Sequence, residues 1–114
     1  MTQEPKAPPS RRWDMTSQEQ DMMDRFRRDF LDLLDGRLAK IEKLVLTAQL
    51  EPAHVALLSL ESSSTMVGRA ELSAAVRRLR SVLTSAGPAE IDGLLAQLLE
   101  QAETARRELG TVGS

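Results

Sequence analysis

The sequence has no cysteine, which removes disulfide frameworks, thiol nucleophiles and thiolate zinc sites together. It has one histidine, His54, so no paired-histidine metal motif can be drawn, and no carboxylates fall at metal-loop spacing. Tyrosine is absent, and two phenylalanines and one tryptophan are the only aromatics. A β-sandwich would lack its usual strand formers. The six glycines stand singly, at 36, 68, 87, 93, 110 and 113, and build no phosphate-cradling loop. Neither charge sign dominates: fifteen Lys and Arg face seventeen Asp and Glu, a formal −2, so nothing favours wrapping DNA or RNA. No apolar run approaches the ~20 residues of a bilayer span, and the opening Met-Thr-Gln-Glu-Pro-Lys holds no signal-peptide core. The expectation is a cytoplasmic protein that is not an enzyme, with no metal or cofactor and neither nucleic acid nor membrane as partner.

What remains is rich in Leu, Ala, Glu, Gln and Arg, the helix formers. At 114 residues and 41% hydrophobic, the chain suits one domain. Pro5, Pro8 and Pro9 mark a disordered tail over 1–15, the folded unit covers 16–110, and 111–114 form a second tail. Thr16-Ser17-Gln18-Glu19 opens a first helix with a capping hydroxyl answered by an acid. Met23, Phe26, Phe30, Leu33, Leu34, Ile41, Leu44 and Val45 then form one stripe, running to about Gln49 with Gly36 as a possible kink. Pro52 sits in the first turn of a second helix that ends near Met66, and Gly68 supplies a left-handed stop. A third helix buries Leu72, Val76, Leu79 and Leu83. Gly87-Pro88 starts a fourth, with Ile91, Leu94, Leu95, Leu98, Leu99 and Ala102 inward to about Leu109. The third segment carries four arginines against one acid and the fourth five acids against two arginines, +3 beside −3, which suits antiparallel neighbours. The fold expected is all-α, an up-down antiparallel four-helix bundle.

The second helix and its turn read Leu57-Leu58-Ser59-Leu60-Glu61-Ser62-Ser63-Ser64-Thr65-Met66-Val67-Gly68-Arg69-Ala70-Glu71-Leu72. This segment resembles the signature of histidine phosphotransfer (HPt) domains, Ala-His-any-Leu-Lys-Gly-Ser, then an apolar residue and glycine, then Ala and Leu of the next helix. In register, Leu60 matches the buried leucine, Ser63 the serine, Val67-Gly68 the turn and Leu72 the next helix. Phe30, Leu34, Leu38 and Ile41 resemble the family's preceding helix. The likeness spans about Phe30 to Leu83, and the helix order follows to Leu109.

The resemblance implies a four-helix phosphorelay module, but its functional positions differ. Leu58 stands where the phosphoacceptor histidine belongs, Glu61 where the lysine belongs and Ser62 where the glycine belongs. Leucine has no lone pair to attack a phosphoryl group. Glu61, one turn on, would repel phosphoryl oxygens that a lysine would balance. On this reading Leu58→His alone accepts phosphate poorly, and adding Glu61→Lys helps.

Ala53, Leu57, Leu60, Ser64 and Val67 form the inward stripe of the second helix, and Leu58 lies about 100° from Leu57 on a line with Glu61, Ser62 and Thr65. Leu58 is therefore expected to be exposed. His54, one turn earlier, is either a surface residue or a displaced acceptor. Arg77, Arg78 and Arg80 are expected to form a solvated face, and Arg11-Arg12-Trp13 either a recognition element or a staple of the tail onto the first helix. The function expected is a non-phosphorylatable, HPt-like module that docks a receiver domain of a response regulator or a histidine kinase through His54, Leu58, Glu61, Ser62 and Thr65. It is expected to be monomeric. The alternatives are an active phosphotransfer protein using His54, and a structural helical protein that self-associates.

Overall fold

A computed structural model describes residues 17–112. The expected tail over 1–15, with Arg11, Arg12 and Trp13, lies outside the described residues, as do Gly113 and Ser114. Four helices make up the described chain, α1 (Ser17–Leu46), α2 (Leu50–Met66), α3 (Ala70–Val82) and α4 (Pro88–Val112), with no strand among the described residues. α1 packs on α2 and α4, and α3 packs on the same two, so consecutive helices are neighbours and the ring closes between first and last. Links of three, three and five residues reverse the direction each time. The architecture is an up-down antiparallel four-helix bundle. α4 continues two residues past the expected boundary at 110.

α1 runs 30 residues without a break at Gly36. Phe30, Leu34, Leu38, Ile41 and Val45 carry the buried stripe across that glycine, and their burial outweighs the ~1 kcal/mol that glycine costs a helix. Leu33, counted into the stripe from sequence, is 60% exposed. It lies about 100° from Leu34, at the stripe's edge, where no neighbouring helix reaches it. The helix also ends three residues before Gln49. Ala48 adopts a left-handed conformation, φ 57°, and the Gln49 N–H donates to the Leu44 carbonyl at 2.9 Å. This is a Schellman stop built on alanine instead of glycine.

The next stop follows the same pattern with the expected residue. Gly68 has φ 77°, and the Arg69 N–H donates to the Ser64 carbonyl at 2.9 Å. Pro88 is the first residue of α4, where its missing N–H leaves nothing unsatisfied. Every residue of the inward stripe of α2, Ala53, Leu57, Leu60, Ser64 and Val67, is buried, as are Leu72, Val76, Leu79 and Leu83. Leu95, Leu98, Ala102, Ala105 and Leu109 complete the core from α4, while Ile91, Leu94 and Leu99 pack at its border. Ion pairs link the helix edges, Arg69 to Glu108 and Arg106 to Asp35. At the surface such pairs contribute little beside this burial.

Candidate functional site: the outward face of α2

The inward stripe of α2 fixes what the opposite side presents. At about 100° per residue, His54, Val55, Leu58, Ser62 and Thr65 share one outward arc, with Glu61 on its α3 border and Ser59 on its α1 border. The structure agrees residue by residue. His54, Val55, Leu58, Ser62 and Thr65 are exposed. Leu58 is 45% exposed and Val55 64%, so two branched aliphatics one turn apart form an apolar ridge in solvent.

The α3 border is built differently from the sequence expectation. Glu61 does not stand free to repel an anion. Its Oε2 accepts from Arg77 Nε at 3.0 Å, and its Oε1 accepts from Arg80 Nε at 2.9 Å and Nη2 at 2.8 Å. Arg77 and Arg80 are three apart, hence on one face of α3, while Arg78 is exposed. Arg77 and Arg78 are exposed, as expected of a solvated face, but Arg77 also joins the part-covered Arg80 in clamping a carboxylate of the neighbouring helix. Partial burial pushes the Glu61 carboxyl up, but the hydrogen bonds and charges of Arg77 and Arg80 outweigh it and hold it below its ordinary value. Thr65 also turns toward α3: its hydroxyl donates to the Glu61 carbonyl at 3.0 Å and lies 2.8 Å from the buried Ser73 hydroxyl. Glu61 and Thr65 therefore lock α2 to α3, and the unencumbered part of the face is His54, Val55, Leu58 and Ser62.

On the α1 border, Arg37 donates from Nη2 to Ser59 Oγ at 2.7 Å and from Nη1 to Ser63 Oγ at 3.2 Å. Burial lowers the pKa of its guanidinium, which stays charged at any accessible pH. Beside it an open groove of about 470 Å³ runs between α1 and α2, with Ile41, Val55 and Ala56 as apolar walls and Arg37 and Lys40 as cations. Val55 and this groove escaped sequence reasoning. The i−3 spacing of Val55 from Leu58 was a signal for the first; the groove depends on helix separation, which no local pattern encodes.

Chemically, the face offers an apolar ridge flanked by a cationic groove on one side and, on the other, a cluster in which one carboxylate is shared by two guanidiniums. Among the described residues no group of three or more His, Asp or Glu is placed to hold a metal, and no helix is long and apolar enough to cross a membrane. Comparison with family models, curated proteins and solved structures finds no match.

Proposed function

We propose that this chain is an HPt-like docking module that binds a receiver domain or a histidine kinase through the outward face of α2 and carries no phosphate. The observation that supports it is Leu58, an exposed aliphatic side chain at the position where the resembling domains keep a phosphoacceptor. A relay histidine must stand in solvent to meet its partner, and a leucine in that place keeps the access without the nucleophile. Val55 extends the apolar centre, and His54, Ser62 and Ser59 form a polar rim of the kind that orients a partner. Arg77 and Arg80, the cations closest to Glu61 on this side, already hold a carboxylate, so an incoming phosphoryl group would have to displace it.

Titration of the purified full chain with the receiver domains and kinase core domains of its own genome tests the proposal, with Leu58→Arg as the control. Expected is saturable binding that Leu58→Arg weakens about tenfold or more, the ~1.4 kcal/mol or more of a central apolar anchor. Incubation with a phosphorylated receiver should leave no acid-labile label on the chain. Label that disappears in His54→Ala would replace this reading by an active relay centred on His54.

A further inference from the structure

The first thirteen residues of α1 contain no fully buried side chain: Phe26 packs against the border of the core, and Phe30 is the first residue of the helix to be buried in it. At ~1.5 Å per residue that is about 20 Å of helix, and it is not uniformly polar. Met22, Met23 and Phe26 fall on one side of it and, with Met66 at the end of α2, line an open cleft of about 360 Å³ whose remaining walls are Arg25 and Asp29. Met22 and Met66 are 62% and 63% exposed. An apolar strip of this kind is a docking surface in search of an occupant.

We infer that the occupant is the chain's own Arg11-Arg12-Trp13 segment, folded back so that the Trp13 ring seats on the Met22, Met23 and Phe26 side of α1. Reach permits it. Trp13 is four residues from Ser17, an extended span of up to ~13–14 Å, while Met22 and Met23 lie about 8–9 Å into the helix. The chemistry matches on both parts of the segment. Indole is the largest apolar surface in the sequence, and thioethers pack favourably against aromatic rings. The opening half of α1, residues 17–32, holds five acids and three arginines, net −2, which suits the two arginines that precede Trp13. This inference stands independently of whether the α2 face docks a receiver.

Trp13 is the sole tryptophan, so intrinsic fluorescence of the full-length chain reads its surroundings directly. Expected is emission at shorter wavelength than in the urea-unfolded chain, with weaker quenching by acrylamide. The double substitution Met22→Asp and Met66→Asp should shift emission to longer wavelength and raise quenching. Both side chains are exposed, so far-UV circular dichroism should not change. Native emission equal to that of the unfolded chain, or emission unmoved by the double substitution, would overturn the inference. A shift that grows with protein concentration would overturn it in favour of a second copy as the occupant.

Discussion

Replacing Glu61 by lysine, the residue of the resembling domains, should damage this bundle. Glu61 accepts from Arg77 and Arg80 at 2.8–3.0 Å, so an ammonium there would face two guanidiniums in place of a carboxylate. Loss of two largely surface ion pairs costs ~0.2–1 kcal/mol each. Two like-charge contacts near 4 Å add ~1 kcal/mol each in water-like surroundings. The sum is about 2–4 kcal/mol, which for a bundle of this size lowers Tm by ~10–30 °C. Glu61→Gln keeps the shape and loses only the attraction, so it should cost about 1 kcal/mol. Urea unfolding followed by circular dichroism at low salt measures both variants. The gap between them should narrow as salt is added, because the repulsion is screened. If Glu61→Lys were as stable as Glu61→Gln at low salt, the arginine clamp would not exist in solution. The result also bears on relay chemistry, since the clamp sets a stability cost against any help that a restored lysine gives a reinstated histidine.

Other expectations follow from the same geometry. Leu57→Ala and Leu60→Ala should each cost ~2–5 kcal/mol in urea unfolding and Leu58→Ala less than ~0.5 kcal/mol; comparable losses at all three would put the register of α2 in error. The Glu61 carboxyl is held below its ordinary value of 4.5, so the stability it adds is fully present above that pH and is lost as pH falls through the lower folded value. The wild type should therefore lose its margin over Glu61→Gln in acid; a margin independent of pH would refute the pairing. Ala48→Gly should stabilise by ~0.5–1 kcal/mol and Gly68→Ala destabilise by ~1–2 kcal/mol, because both sites need a left-handed backbone; thermal melts showing both changes neutral would contradict that conformation. Leu58→His combined with Glu61→Gln should take up more acid-labile label from a phosphorylated receiver than Leu58→His alone, because Arg77 and Arg80 lose their internal carboxylate. Equal labelling would refute that electrostatic competition.

Much of the bundle was legible because its signals are local and repeat. The stripes of α2 and α3 name their buried residues directly, and Gly68 and Gly87-Pro88 mark boundaries through backbone preferences that act within a few residues. Ala48 shows where this fails: alanine carries no hint of a left-handed stop, which the packing of α1 against α2 imposes at a cost of ~1–2 kcal/mol. The exposed setting of Leu58 was legible for the same reason as the stripe opposite it. The state of Glu61 was not, because its partners lie 16 and 19 residues away on α3. Spacing shows that Arg77 and Arg80 share a face, but which carboxylate they meet depends on how α2 and α3 are rotated against each other. The groove beside Val55 is a product of the same interhelical geometry.

Saturation binding of purified receiver and kinase domains to the full chain and to Leu58→Arg probes the docking proposal most directly. The expected result is at least one domain that binds the wild type, binds Leu58→Arg about tenfold or more weakly, and transfers no phosphate to either. Wild type and Leu58→Arg binding every domain alike, or not binding any, would contradict it.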